Sequence, residues 1–250
     1  MSETLGTSSL SVLRDGARAV RDISLSVAAG TWFGLIGANG SGKTSFLRAV
    51  AGRLAVEGGV VRIDGVDRTA DRAGRAAAIG YAPDAAMLPA PLTARAVLGI
   101  VAGDSDRALA AIGGIADALV LAPLLDRRIG ACSAGQRQRI AIACAFAAGQ
   151  GIAILDEPFN WLDPVAAYDL RHALTARVAA GLTLVTALHD LTTLSSACQA
   201  GALLAEGRVA LALDAAALAD ARTDPAAFEA QTIAHLRGQA ANVSIPDQDR

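Results

Sequence analysis

The sequence predicts an α/β fold: a mostly parallel sheet flanked by helices, with an N-terminal antiparallel β portion and an inserted α-helical subdomain. Three observations carry that prediction. Continuous apolar runs at residues 32–36, 152–155 and 182–188 have the character of central parallel strands buried on both faces. A glycine-rich turn joins the first of these to a helical pattern over residues 44–51, giving strand, turn and helix in succession. From about residue 91 to residue 150 strand signals vanish and helical patterns dominate, which marks an insertion between strands.

The elements follow in chain order. Residues 10–27 read as a β-hairpin around Arg14, Asp15 and Gly16, and Val60 to Ile63 before Asp64-Gly65 adds a short strand; Asp-Gly pairs suit tight turns. Within the insertion, residues 93–101 and 105–119 read as helices. Residues 1–237 are expected to form one domain, with a polar, flexible tail at 238–250, because ends without anchoring contacts fray.

Composition narrows the class. A length of 250 residues suits one large domain with an insertion. The apolar fraction of 53% and mean hydropathy of +0.40 come largely from alanine. The longest nearly apolar stretch, 140–155, is broken by Gly149-Gln150-Gly151 and runs into Asp156 and Glu157, short of the ~18–20 residues that span a bilayer. The N-terminus shows neither a basic start nor an apolar run, so a cytosolic protein without a secretory signal is expected. A net charge of −2 and a pI near 5.9 provide no basic field for phosphate backbones, and no nucleic-acid partner is expected. Cys132, Cys144 and Cys198 are odd in number and too widely spaced for a metal or redox motif, as befits reduced thiols.

The 22 basic residues comprise 21 arginines and one lysine, Lys43. A planar guanidinium cannot replace a compact ammonium that must sit among backbone N–H groups and touch two phosphates. Lys43 lies in Gly37-Ala38-Asn39-Gly40-Ser41-Gly42-Lys43-Thr44, which fits G-x-x-x-x-G-K-[ST] in the required context between strand and helix. This is a P-loop NTPase pattern. Its glycines let the backbone form a nest of N–H groups, and the following helix points its positive end at the same anion. Residues Gly37 to Thr44 and Ser45 are therefore candidates to hold the phosphates of ATP, with Lys43 on the β- and γ-phosphates and the Thr44 hydroxyl on Mg²⁺. Residues 152–155 lead into Asp156 and Glu157. Alone, two acids after a strand read as the start of a solvated loop; paired with the phosphate loop, Asp156 becomes a Mg²⁺ ligand and Glu157 the group that takes a proton from the attacking water. Ligands of open α/β sheets gather at the carboxyl ends of strands, where these groups and His189 all fall.

Cys132-Ser133-Ala134-Gly135-Gln136 resembles the signature of the ABC ATPases, usually Leu-Ser-Gly-Gly-Gln, and lies upstream of the Asp156-Glu157 strand as in that family. Ser133 can cap the helix that begins there, leaving its hydroxyl and the Gly135 N–H available to an anion. Asn160-Trp161-Leu162-Asp163 resembles the D-loop, with Asn160 and Trp161 in place of the common small residues. His189 resembles the switch histidine that contacts the γ-phosphate. The segment 79–84 resembles the entrance to the Q-loop, with Asp84 where glutamine is usual; a carboxylate there can still bind Mg²⁺. Arg14 falls near the adenine-stacking aromatic, and a guanidinium can stack on a base.

The resemblance spans about residues 8–210. It implies the ABC ATPase fold, ATP and Mg²⁺ as ligands, Glu157, His189 and Lys43 as catalytic residues, and Thr44, Asp156 and Asp84 at the metal. It further implies that Ser133, Gly135 and Gln136 meet the nucleotide of an opposite subunit in a homodimer or pseudo-symmetric heterodimer. The expected partner is a separate multispanning transmembrane subunit, which the chain would drive from the cytoplasmic face of the membrane. The lack of an added regulatory domain, together with Asp84, points to export rather than import. Two other classes compete: a non-transport ABC ATPase acting on ribosome or DNA, and a nucleotide-binding regulator. The first usually carries tandem domains, coiled coils or basic surfaces, and the second needs neither Glu157 nor His189.

Overall fold

A computed structural model describes residues 3–241, with side-chain surroundings through residue 234. Strands β1 (Glu3–Arg14) and β2 (Ala17–Ala28) form the expected antiparallel hairpin, which begins earlier than residue 10. Its turn residues Asp15 and Gly16 both hold positive φ, 52° and 79°, matching the twist of the flanking strands. Strand β3 (Trp32–Ile36) runs through the phosphate loop into helix α1 (Lys43–Val50). Strands β4 (Gly58–Ile63) and β5 (Val66–Asp67) complete a four-stranded antiparallel sheet in the order β2-β1-β4-β5.

Helix α2 (Arg72–Ala78) and strand β6 (Ile79–Tyr81) precede the helical insertion. This contains α3 (Ala94–Ala102), α4 (Ser105–Ile112), α5 (Ile115–Ala118) and α6 (Ala134–Cys144). The single helix expected over 105–119 is two, because Gly113, at φ 56°, and Gly114 end one and start the next. Strand β7 (Ile152–Asp156), helix α7 (Pro164–Ala179), strand β8 (Thr183–Leu188) and helix α8 (Leu191–Ala197) then alternate. Strands β9 (Ala200–Ala205) and β10 (Arg208–Leu213), which the sequence did not announce, are followed by helices α9 (Ala215–Thr223) and α10 (Pro225–Ala241). Part of the expected tail is thus helical as far as Ala241, and residues 242–250 lie outside the described residues. No described helix is long and apolar enough to cross a membrane.

The second sheet has the order β10-β9-β3-β8-β7-β6, parallel throughout except where β10 pairs antiparallel with β9. Period-two alternation divides its side chains between two cores. Phe33, Leu35, Ile152, Ile154, Val185 and Ala187 face α1 and the antiparallel sheet, joined by Phe46, Leu47 and Val50. Trp32, Ile36, Ala153, Leu155, Leu184 and Leu188 face the helical insertion with α7 and α8. Helix α1 is therefore wedged between two sheets, which fixes the loop that precedes it. On the other face, α8 lies directly on the backbone of β3 and β9: a Cβ on Gly34 would collide with Leu194, and one on its register partner Gly201 would stand 2.9 Å from the same side chain.

Candidate nucleotide site

The site forms where β3, β7 and β8 end. In the loop after β3, Gly42 has φ 102°, and a Cβ there would come within 2.5 Å of the Ala19 carbonyl oxygen of the hairpin. Only glycine meets both demands. The Lys43 side chain is buried, and its ammonium donates to the carbonyl oxygens of Gly37 at 2.7 Å and Ala38 at 3.3 Å. Burial lowers its pKa, opposed by the charges of Glu157 and Asp156. Ser41 and Ser45 are also buried, and the Ser41 hydroxyl has no hydrogen-bond partner.

Asp156 closes β7, two strands away from the loop, and shares a hydrogen bond with the Thr44 hydroxyl. Burial pushes its carboxyl above the ordinary range, while Thr44 works in the opposite direction. One of its oxygens, Oδ1, is buried without a partner. An orphaned carboxylate oxygen beside a threonine hydroxyl is a donor set that suits a hard cation. Among the described residues no three His, Cys, Asp or Glu side chains cluster to hold a metal by themselves, so such a cation would complete its shell with phosphate oxygens and water.

Glu157 follows at φ 52°, and its N–H donates to the Ala187 carbonyl of β8 at 3.2 Å. Both of its carboxylate oxygens are engaged: His189 Nε2 lies 2.7 Å from Oε1, and Asn160 Nδ2 donates to Oε2 at 2.8 Å. The carboxylate and imidazole meet because β7 and β8 are neighbours in parallel register, so their C-terminal loops share one edge.

Two recesses join at Thr44 and Glu157. One, of about 540 Å³, is lined by residues 39–45 and by Arg14, Asp15, Ala17 and Ala19 from the hairpin. The other, of about 270 Å³, is bounded by Arg48, Tyr81, Asp84, Gln138, Asp156 and Trp161 among others. Arg14 is thus brought beside the phosphate loop, where its closest charged neighbour is Asp15 at 3.6 Å. Asp84 shares a recess with Thr44 and Asp156, and it also caps the 3-10 turn Ala85–Met87 by accepting from the Ala86 N–H.

Ser133, Gly135 and Gln136 line neither recess. They form the first turn of α6, where the Ser133 hydroxyl accepts from the Gln136 N–H and the Gln136 side chain accepts from the Ser133 N–H. This capping box occupies the Gln136 amide oxygen, a local role the sequence reading did not give it. Arg48, Tyr81 and Gln138 also line the site, without a motif in the sequence to single them out, and Asn160 bonds to Glu157. Arg48 did have a signal, since it stands one helical turn after Thr44.

The sequence profile of the ABC transporter family matches residues 20–160. The chain belongs to that family. It is an ATP-binding cassette ATPase, with the P-loop core and helical insertion of the ABC fold. Among its relatives, an Fe(3+) ions import ATP-binding protein of Pseudomonas fluorescens is 35% identical over 202 residues, 78% of this chain and 56% of that one. The chain thus spans little more than half the length of that relative. An aliphatic sulfonates import ATP-binding protein of Cupriavidus necator is 31% identical over 93% of this chain and 77% of its own length. A hemin import ATP-binding protein of Bordetella parapertussis is 33% identical over 83% and 85%. Similar folds include an ATP-binding subunit of an ABC transporter, with TM-score 0.79 at 23% identity over 96% of this chain and all of that one. A dimeric, post-hydrolysis ATP-binding cassette bound to ADP and Pi has TM-score 0.76 at 21% identity, covering 84% and 98%.

Proposed function

We propose that this ABC-family chain hydrolyses ATP to power import through a separate multispanning membrane subunit, working from the cytoplasmic face as a dimer with ATP between its two copies or between it and a close homologue. The observation that carries the catalytic part is Glu157, held by His189 and Asn160 beside Lys43 and Thr44.

In this reading the N–H groups of residues 37–45 and the start of α1 cradle the phosphates. Lys43 exchanges the Gly37 and Ala38 carbonyls for β- and γ-phosphate oxygens. The Thr44 hydroxyl and the Asp156 carboxylate would hold Mg²⁺, with Asp84 within the same recess. Mg²⁺, when bound, would supply positive charge that offsets the negative charge of the phosphates. Glu157 accepts the proton of the water whose oxygen attacks the γ-phosphorus, and ADP leaves with the bridging oxygen. His189 turns its Nε2 from Glu157 to the γ-phosphate. Arg14 lies on the nucleotide's base, and Ser133, Gly135 and Gln136 face the γ-phosphate held by the second subunit.

Import replaces the export expected from the sequence. The relatives described above are import proteins by name, whereas a bacterial exporter with ATP bound is similar at 21% identity, TM-score 0.73, which bears on fold alone. Purified protein with Mg-ATP is expected to release phosphate, and Glu157→Gln to cut release by about 100-fold or more while accumulating an ATP-bound dimer on size-exclusion chromatography. Turnover of that variant at the parent rate would remove Glu157 from its role. A multispanning protein is expected to co-purify from detergent-solubilised membranes; recovery of ribosomes or soluble proteins alone would favour the non-transport class instead.

A further inference from the structure

We infer that Asn160 is a positioning residue for hydrolysis: its side-chain amide orients the Glu157 carboxylate, and α6 in turn holds the loop that carries the amide. The inference rests on the reading of Glu157 as the base.

The loop 157–161 is a tight device. Glu157 and Trp161 both lie in the left-handed region, at φ 52° and 65°, a conformation that bulky residues adopt only where surroundings hold them. Between them the Asn160 N–H donates to the Glu157 carbonyl at 3.2 Å, closing a turn, and the Asn160 side chain reaches back to Glu157 Oε2 at 2.8 Å. The terminal torsion of a glutamate is broad and roughly two-fold. A single bond from His189 to Oε1 leaves the carboxylate plane free to rotate about that contact; a second donor on Oε2 fixes it. The two donors also come from different elements, His189 from the end of β8 and Asn160 from the loop after β7. If His189 turns to a phosphate, Asn160 alone keeps the carboxylate oriented. Lys43 and Asp156 also act on it electrostatically, with opposite signs.

Helix α6 holds this loop through Gly135 and Gln138, and the cap of the following helix through Arg139. A Cβ on Gly135 would stand 2.7 Å from the Trp161 carbonyl oxygen, so the first turn of α6 packs on the loop through a bare backbone. The Gln138 amide reaches the Glu157 and Pro158 carbonyl oxygens at 3.5 Å, and Arg139 pairs with Asp163 at 3.1 Å. A displacement of the first turns of α6 therefore moves the loop and, through Asn160, the carboxylate.

The test compares Asn160→Ala with the isosteric Asn160→Asp, which exchanges the donor for an acceptor facing Glu157. Steady-state ATPase should show kcat lower by about tenfold for Asn160→Ala, in keeping with the steep penalty for misplaced catalytic groups, and lower still for Asn160→Asp. KM for ATP should stay within about twofold and the melting temperature close to the parent's. Two results overturn the inference: kcat within twofold of the parent in both variants, or losses of kcat matched by losses of ATP affinity and melting temperature. Parent-like turnover of Glu157→Gln, measured alongside, would instead overturn the base assignment.

Discussion

The phosphate loop and the first turn of α6 both offer backbone N–H groups at the start of a helix, yet they are held in opposite ways. Lys43, Ser41 and Ser45 are buried, α1 is wedged between two sheets, and Gly42 abuts the hairpin. Ser133 and Ala134 stand exposed, and their turn is closed by a capping box formed between Ser133 and Gln136. The loop's shape is imposed by residues distant in sequence, whereas the turn's hydrogen bonds are made between its own residues. A buried anion site tolerates no change of side-chain volume, whereas a surface turn keeps most of its geometry when one bond is lost.

The contrast is sharpest at Lys43. Its slot admits an ammonium against the Gly37 and Ala38 carbonyls, and a planar guanidinium exceeds that space. Lys43→Arg, though it keeps the charge, is expected to reduce ATP turnover about 100-fold or more, consistent with the cost of displacing groups at a reacting centre. Near-normal kcat/KM would show that the slot accepts a guanidinium as readily as an ammonium.

Asp156 tests burial in the opposite sense. Burial, partly offset by Thr44, raises its carboxyl pKa. A carboxyl whose folded pKa exceeds the unfolded one loses stability for the fold as pH rises from the unfolded value to the folded one, and the deficit persists above both. In the absence of nucleotide, Asp156→Asn should therefore raise the melting temperature at pH 7. It should also flatten the pH dependence of stability upward from about pH 4, while hydrolysis falls. A lower melting temperature would mean that Thr44, Lys43 and Arg48 already compensate the buried charge.

A small effect is expected of the exposed turn. Ser133→Ala removes one half of the capping box and should cost about 1 kcal/mol of stability, read as a lower denaturation midpoint with an unchanged slope. A loss several times larger would show that the turn depends on more than its own residues.

The same division explains what could be read from the chain. The loop, the Asp156-Glu157 strand and His189 declare themselves because each polar group follows a run of buried strand residues. Strand β9 does not. Its sequence Ala-Gly-Ala-Leu-Leu-Ala lacks β-branched and aromatic residues, and Gly201 is needed there because α8 sits on the sheet at Leu194; packing overrides propensity. The break at Gly113-Gly114 was visible as two glycines within a helical pattern, but periodicity alone runs through it. The bond from Asn160 to Glu157 was beyond reach, since it depends on two residues at positive φ that sequence pattern does not report.

The place of β3 in the middle of its sheet bears on how the protein is made. Its neighbours are β8 and β9, and the Trp32 indole N–H donates to a Thr186 hydroxyl 154 positions further along. Chains emerge from the ribosome at roughly 5–20 residues per second. The phosphate loop is thus exposed early, but its supporting strand gains its first sheet partner only with β8, at residues 183–188, and its second only with β9, at residues 200–205. Closing so long a chain loop is slow, and a nascent chain lacking β8 and β9 has the motif without the pocket. ATP therefore meets a competent site only when nearly the whole cassette has been synthesised.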